Sequence, residues 1–295
     1  MGNAQPLSTT PLNIWIMGFF IRFARQWIAG ETLEDAVEQA KKKNRAGIGA
    51  IINFLGEHVR NKEEAEKNTQ ENLRIIQAIE ASKLRASLSI KPTQIGLMIN
   101  KDLCLSNVEK MAEAAALRNI FVWIDMEGSA YTEDTIEIYL SILRKYRNFG
   151  IAIQANLKRS EGDVRRIAAS GGVIRLVKGA YREKKEIAFA GRSEVTIRFS
   201  KLMGYLFYSC KGFAIATHDW ALINEAIEVN KTHGKELEIQ MLMGVREELK
   251  NRLVKQGLTV VDYIPYGKAW YPYTTRRISE RKRNILLILR SVFDI

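Results

Sequence analysis

The sequence predicts a single (β/α)8 barrel of the TIM type, preceded by an N-terminal helical segment over residues 1–45. Eight short apolar runs alternate with longer segments of helical period, at a repeat of roughly 30 residues that is typical of strand-then-helix units. The chain has 295 residues, 46% of them hydrophobic and 26% charged, so it is long enough and apolar enough for one large core. No linker or low-complexity tract divides residues 46–295. We therefore expect the barrel to fill that range.

The first predicted element is an amphipathic helix in the segment NIWIMGFFIRFARQWIAG, residues 13–30. Arg22 and Arg25 interrupt its apolar run before it reaches the ~20 residues that a spanning helix needs. The charges follow the apolar block, which is the reverse of the order in a signal peptide. Two interpretations remain open, a helix packed on the domain and a helix lying on a membrane surface, the latter because aromatic residues stand beside the arginines (Trp15, Phe19, Phe20 and Trp27). We expect a cytoplasmic protein with membrane contact, if any, at the inner face.

The barrel strands are predicted from apolar runs that are too short for helices and apolar on both faces, as in parallel strands covered by helices. They lie at residues 47–55, 85–91, 120–126, 150–157, 173–179, 213–219, 237–243 and 260–266. Amphipathic helices are predicted between them, for example at 61–82 and 105–118. In the first of these, Leu73, Ile76 and Ile79 share one face. A last helix is predicted from about residue 273 to about residue 290.

Polar side chains at the C-terminal ends of these strands indicate a functional site, because active sites of this fold lie there. A buried charge in an apolar strand needs a partner, so an ion pair is the structural alternative for each one taken singly. Several such groups on one rim favour a site. The candidates are Asn53, Glu57, Lys91, Asp125, Glu127, Gln154, Asn156, Arg175, Lys178, Thr217, His218, Asp219, Gln240 and Tyr263.

The segment YPYTTRRISER, residues 271–281, places two adjacent arginines after a tyrosine in a chain of net charge +12. The arginines suit a solvated basic face, a nucleic-acid patch or a clamp for one small anion. Helical spacing favours the clamp, because Tyr273 shares a face with Arg276 and Arg277, and Glu280 is placed to orient them. The sequence has no RRM, KH or helix-turn-helix pattern, which disfavours a nucleic-acid binder.

A metal-dependent barrel hydrolase is a second alternative, with His218 and Asp219 as candidate ligands. The chain has only three histidines and no HxH or HExxH spacing, so we predict no metal site. Cys104 and Cys210 stand in no CxxC pattern and predict structural thiols in a reducing compartment. Gly179 in VKGAYRE lets the backbone approach a phosphate or flavin ring closely.

Nine motifs stand along the chain: FLGE, SIKP, IDME, IQANLKRSEGD, RLVKGAYRE, ATHD, EIQMLMGV, YIPYG and YPYTTRRISER. Together they resemble the proline dehydrogenase family, flavoenzymes built on a (β/α)8 barrel. The resemblance implies FAD-dependent oxidation of L-proline to Δ1-pyrroline-5-carboxylate, the first step of proline catabolism to glutamate. A hydride passes from proline C5 to flavin N5, and the electrons pass on to a quinone. It leaves the oligomeric state, the acceptor and any downstream partner open.

The resemblance also implies a role for each matching residue. Asp125 and Arg175 are the catalytic pair, with Arg175 beside flavin N5, where a cation stabilises negative charge. Lys91, Arg276 and Arg277 bind the proline carboxylate, which fixes the orientation of the substrate. Asp125, Leu242, Tyr263 and Tyr273 shape the pocket for the proline ring. FAD contacts are expected from Met126, Gln154, Val177, Lys178, Gly179, Ala180, Thr217, His218 and Gln240.

The resemblance further implies that Glu57 gates the site by pairing with Arg276, and the helical spacing has Glu280 orienting the arginines. Two positions depart from the family pattern. Asn53 stands where an acidic residue is usual, which puts an electrostatic partner of the gate in doubt. Arg182 stands where some members carry an aromatic residue, which predicts more exposed and more basic surroundings for the flavin.

Overall fold

A computed structural model describes residues 25–280, without the side chains of Arg276, Ile278, Ser279 and Glu280. Most of the predicted N-terminal amphipathic helix and the C-terminal part of the predicted last helix lie outside these residues. The predicted pairings of the Arg276 and Glu280 side chains also lie outside them. The division of the chain at residue 45 stays a prediction.

The eight predicted strands form a closed parallel barrel in chain order, and β8 pairs with β1 to close it. This confirms the predicted fold class. The strands are mostly shorter than the apolar runs, because the ends of several runs leave the ladder and enter loops. The strands are β1 Gly49–Phe54, β2 Ala86–Ile90, β3 Val122–Ile124, β4 Phe149–Gln154, β5 Val173–Val177, β6 Phe213–Ala216, β7 Glu238–Leu242 and β8 Thr259–Tyr266.

Helices alternate with these strands and cover the barrel, and their apolar faces form the main core with the outward side chains of the strands. Two short 3₁₀ turns, Pro92–Gln94 and Ser129–Tyr131, follow β2 and β3. The helices are α1 Leu33–Arg45, α2 Lys62–Ala81, α3 Lys101–Ala116, α4 Thr132–Leu143, α5 Ser160–Ala169, α6 Arg192–Ser209, α7 Trp220–His233, α8 Glu247–Lys255 and α9 Trp270–Glu280.

Helix α1 begins at a capped N-terminus and lies on the outside of the barrel. Its N-terminus carries a capping box, in which Thr32 and Asp35 each accept a hydrogen bond from the other's backbone N–H. The helix packs against β1 and β8, on the flank where a regular barrel places the helix that follows β8.

Helix α9 instead lies at the C-terminal mouth of the barrel. Trp270 and Tyr273 are buried there against Trp27, Leu55 and Val245. Strand β7 ends at the same cluster, because Leu242 packs against its edge. The displacement of α9 from the outer ring therefore brings its last turns toward the interior of the barrel.

Side chains inside the barrel change from apolar to polar along the strand direction. Ile51, Trp123 and Val261 fill the lower layer. Because alternate residues of a strand share one face, the next inward positions are Asn53, Asp125 and Tyr263. The apolar layer therefore closes the bottom of a polar chamber that opens at the C-terminal mouth.

Candidate active site

An aspartate whose side chain is only 14% exposed lies at the centre of the chamber, between two cations. Lys91 Nζ donates to Asp125 Oδ2 over 2.8 Å, and the Arg175 guanidinium donates to Asp125 Oδ1. Tyr263 Oη donates to Asp125 Oδ2 over 2.7 Å, and Ser89 Oγ donates to Asp125 Oδ1 over 2.8 Å. The sequence required partners for these three charged residues, and they are partners of one another.

The protonation states of this cluster follow from the charges around Asp125. Burial alone would raise the pKa of Asp125, but the adjacent Lys91 and Arg175 hold it well below its usual range. Burial lowers the pKa of Lys91, yet Asp125 and Tyr263 raise it well above its ordinary value. Burial and Asp125 together raise the pKa of the Tyr263 hydroxyl. The cluster therefore holds two cations and one anion around a neutral phenol, an excess of one positive charge.

A cavity of about 860 Å³ lies over this cluster, at the upper end of the size range of ligand pockets. Arg277 of α9 lines its wall, and its guanidinium carbon lies 5.4 Å from the centre of the Tyr273 ring. The predicted site residues that line the cavity are Asp125, Met126, Gln154, Arg175, Val177, Lys178, Gly179, Ala180, Thr217, His218, Gln240, Leu242, Tyr263 and Arg277.

Three predicted site residues with described side chains lie beside the cavity lining rather than in it. Lys91 lies next to Asp125 and also donates to Asn53 Oδ1 over 3.2 Å. Tyr273 is buried in the cluster under α9. Glu57 accepts a hydrogen bond from Tyr181 Oη over 3.4 Å. Asn53, the predicted departure from the family pattern, is thus a neutral neighbour of the site lysine.

Three polar side chains of the cavity wall are fixed by hydrogen bonds within the protein. Gln154 Nε2 donates to the backbone oxygen of Glu127 over 2.9 Å. His218 Nε2 accepts from the backbone N–H of Leu242 over 2.8 Å, and this bond ties the end of β6 to that of β7. Lys178 Nζ donates to Asp219 over 2.8 Å. These residues present a rigid wall to a ligand.

Two buried polar atoms on the cavity wall have no hydrogen-bond partner among the described residues, and they test what the cavity can hold. One is the Nε of Arg175 and the other is Oδ1 of Asn156. Gly179 has φ +105°, and a Cβ there would lie 2.1 Å from Asn156 Oδ1, so glycine is required at this turn. A donor and an acceptor on one wall of a large, partly apolar cavity fit a broad heteroaromatic cofactor with polar groups along its edge.

Sequence reasoning missed the part of the wall that comes from the loop between β5 and α6. Tyr181, Glu183, Phe189 and Arg192 line the cavity from this loop or from the start of α6. Glu183 fixes the loop, because its carboxylate accepts from the backbone N–H of Ser129 over 2.7 Å and from its hydroxyl. Arg182 is exposed at the cavity edge, so the predicted basic surroundings are present there. The motif RLVKGAYRE marked only where the loop begins.

Within residues 25–280, no group of three or more His, Cys, Asp or Glu side chains is placed to hold a metal ion. In that same range, no helix has the length and apolar character to cross a membrane.

Comparison with known proteins indicates the family of this chain. The family model for proline dehydrogenase matches residues 36–285. Proline dehydrogenase 1 of Bacillus subtilis is 35% identical over 272 residues, which cover 91% of this chain and 90% of that protein. Proline dehydrogenase of Deinococcus radiodurans is 28% identical over 277 residues, 91% of this chain and 89% of that protein.

Among solved structures, the chain is similar to proline utilization A (PutA) from Bdellovibrio bacteriovorus inactivated by N-propargylglycine, with a TM-score of 0.87 and 22% identity. The match covers 92% of this chain but only 34% of PutA. At this identity the likeness shows a shared barrel fold, and the chain spans about a third of the longer protein.

Proposed function

The chain belongs to the proline dehydrogenase family, and we propose that it oxidises L-proline to Δ1-pyrroline-5-carboxylate with FAD bound in the cavity over Asp125 and Arg175. One observation carries the proposal most directly. The direct ion pairs on the chamber floor join two cations to one anion, because Lys91 and Arg175 share the carboxylate of Asp125. Arg277 adds another cation on the wall. A small substrate with one carboxylate would supply a second anion to these three cations.

Carboxylate binding is the task of Lys91, Arg276 and Arg277 in this proposal. Lys91 is held by Asp125, and the Arg277 guanidinium stacks over the Tyr273 ring, so both described cations are oriented before a substrate arrives. Hydrogen bonds between a carboxylate and charged donors contribute about 1.5–3 kcal/mol each. Leu242, Tyr263 and Tyr273 then provide apolar surface for the proline ring.

The wall residues fit a flavin. When bound, the flavin supplies the two-electron oxidant that accepts the hydride from proline C5. Arg175 offers it the Nε–H that has no partner among the described residues, and Asn156 offers the amide oxygen in the same condition. The wall that would hold it is formed by Met126, Gln154, Val177, Lys178, Gly179, Ala180, Thr217, His218 and Gln240.

Asp125 acts by positioning charge rather than by taking a proton. Its pKa lies well below the usual range because of Lys91 and Arg175, although burial opposes them, so its carboxylate is too weak a base for an amine proton at neutral pH. Its two oxygens instead fix the ammonium of Lys91 and the guanidinium of Arg175 on opposite sides. A preorganised cation of this kind stabilises negative charge that develops beside it.

The resemblance supports three further parts of the proposal. A quinone takes the electrons, Glu57 gates the substrate entrance, and the aromatic and basic N-terminal segment contacts the inner face of the cytoplasmic membrane. The bond from Tyr181 to Glu57 supports the second part, because it joins the loop after β1 to the loop after β5 across the mouth.

An anaerobic absorption spectrum tests the proposal. The purified protein is expected to show flavin bands that bleach when L-proline is added. Pyrrolidine is the matched control, because it has the same ring without the carboxylate that the cations bind. A protein that is colourless, takes up no added FAD and does not respond to L-proline would contradict the proposal. Equal bleaching by pyrrolidine would remove the carboxylate clamp.

A further inference from the structure

Two side-chain pairs join the segment after β2 to the segment after β3. The first pair, Lys91 and Asp125, lies at the cavity, with Asp125 in its lining. The second pair lies two residues further along each segment. Thr93 donates to Glu127 twice, from its backbone N–H over 2.9 Å and from its hydroxyl over 2.6 Å. Thr93 is fully buried and Glu127 is 1% exposed, so the second pair is a built feature of the interior.

Thr93 in turn holds the loop that follows β1. The backbone N–H of His58 donates to Thr93 Oγ1 over 3.0 Å, and that of Val59 donates to the Thr93 backbone oxygen over 3.1 Å. His58 has φ +61°, a left-handed conformation that costs a non-glycine residue about 1–2 kcal/mol. This conformation needs an external anchor, and the loop around it carries Glu57.

We propose that Glu127 is a positioning residue for the substrate entrance: through Thr93, its carboxylate fixes the left-handed turn at His58 and with it the placement of Glu57. The proposal rests on the proposed function only for the role of Glu57 at the entrance. The Glu127–Thr93 pair and its hold on residues 58 and 59 are independent of the reaction.

The ionised carboxylate of Glu127 matches the donors of Thr93, whereas a protonated one does not. Two carboxylate oxygens accept both Thr93 donors, and the Thr93 hydroxyl oxygen remains an acceptor for His58. A proton on either oxygen of Glu127 leaves one Thr93 donor without an acceptor or makes Glu127 compete with His58 for the hydroxyl oxygen. An amide has the same defect, because it offers one acceptor and one donor group.

Charged and titratable groups face Glu127 from each neighbouring segment. They are Lys91 after β2, Glu57 after β1 and the thiol of Cys104 on α3. Burial raises the pKa of Glu127 to about 7, with Glu57 adding to the rise while the bonds from Thr93 and the charge of Lys91 oppose it. The hold on the loop is therefore expected to weaken as pH falls through the neutral range.

Amide-resolved hydrogen exchange on the purified, flavin-loaded protein tests the proposal without substrate. In Glu127→Gln we expect the His58 and Val59 amides to exchange roughly tenfold faster or more, as for the loss of a hydrogen bond to a charged group. Thr93→Val should release His58 more than Val59, since the bond from Val59 goes to the backbone. Thr93→Ser should behave as wild type.

Glu225→Gln is the matched control, because Glu225 also accepts from a hydroxyl, that of Ser200, but does so between α6 and α7. It should leave both amides unchanged. In the wild type, exchange at His58, corrected for its intrinsic pH dependence, should accelerate as pH falls through about 7, and this step should vanish in Glu127→Gln. If Glu127→Gln fails to fold, Thr93→Val carries the test.

Unchanged exchange at His58 in both Glu127→Gln and Thr93→Val would overturn the proposal. So would equal changes in the Glu225→Gln control. The functional arm expects kcat/KM for L-proline to fall in Glu127→Gln and Thr93→Val while flavin absorbance is retained. If exchange responds as expected but the wild type does not oxidise proline, the role of Glu127 in holding residues 58 and 59 stands and the proposed function fails.

Discussion

Asp125 and Asp262 each lie between two cations, in different regions of the molecule. Asp125 lies inside the barrel, between Lys91 and Arg175. Asp262 lies on β8 and faces outward, where Lys250 of α8 contacts it and Lys43 of α1 lies 2.7 Å away. Tyr263, the next residue of β8, points inward and donates to Asp125. The alternation of a single strand thus places one residue in each cluster.

The two clusters differ in charge balance. The outer cluster is balanced, because Glu247 joins Asp262 as a second anion and accepts from Lys250 over 2.7 Å and from Lys43 over 2.6 Å. Lys250 is fully buried and uses a further bond, of 2.9 Å, to hold the backbone oxygen of Leu242. The inner cluster has two cations for one anion and opens on a cavity. Balance marks a structural cluster here, and imbalance marks a site for an anion.

Removing the charge of Asp262 should produce the largest effect and should act on stability alone. Asp262→Asn leaves Lys250 buried with a single partly exposed anion nearby, and breaking a buried pair in this way costs about 3–5 kcal/mol of unfolding free energy. Urea denaturation measures the loss. For the protein that remains folded, kcat/KM for L-proline should equal that of the wild type. A variant that kept its stability but lost activity would break the distinction between the clusters.

The inner cluster should respond in the opposite way. Arg175→Met removes the cation that faces the cavity, and loss of one preorganised stabilising group slows a reaction by about 100- to 1,000-fold. Stopped-flow absorbance gives the rate of flavin bleaching, which should fall much more than the affinity for L-proline. Arg252→Met is the control, because its guanidinium carbon lies 4.4 Å from the Trp220 ring outside the barrel. Equal losses in rate and affinity would contradict the role of Arg175.

The barrel could be predicted from the sequence because the signals that identify its strands and helices are local. Short apolar runs, their length and their alternation with amphipathic helices identified all eight strands. Parallel strands bring their C-terminal ends to one rim, so residues as distant in the chain as Lys91 and Tyr263 could be assigned to one chamber without knowing a single contact. The cost of burying a charge predicted that Asp125 needs partners, and its role in the site was implied by the family resemblance.

Contacts made by outward side chains and by loops could not be read in this way. The run VVDYIPY suggested a site tyrosine, but the partners of Asp262 come from α1 and α8, whose packing the sequence does not specify. The place of α1 beside β8, and of α9 at the mouth, depends on competition for one flank of the barrel. The sequence indicated Glu127 as a rim candidate, but its bond to Thr93 joins two loop segments whose contacts the sequence does not specify.

A smaller effect is expected from Arg277, the cation on the cavity wall. Arg277→Met should raise KM for L-proline by about 10- to 150-fold, the equivalent of losing one charge-assisted hydrogen bond of about 1.5–3 kcal/mol. The flavin spectrum should not change. Arg182→Met is the control, because Arg182 also lines the cavity but is exposed, and solvent screens an exposed charge. Steady-state kinetics that gave both variants the same KM would remove the carboxylate clamp.

The smallest effect should come from Glu247, the anion that balances the outer cluster but is 41% exposed. Glu247→Gln should cost about 1 kcal/mol or less, because water screens the lost charge and the amide oxygen still accepts from a lysine.

The effect of Glu247 should also depend on pH. Burial raises the pKa of Glu247, but Lys250 and Lys43 outweigh burial and lower that pKa below its ordinary 4.5. A carboxyl group whose pKa is lower in the folded state than in the unfolded state stabilises the fold at pH values above its unfolded pKa. That stabilisation is lost as pH falls through the folded pKa. The difference between variant and wild type in urea midpoint should therefore be present at pH 7 and should shrink as pH falls below the ordinary carboxyl pKa of 4.5. A cost as large as that of Asp262→Asn would mean that charge balance, rather than burial of the central aspartate, sustains the outer cluster.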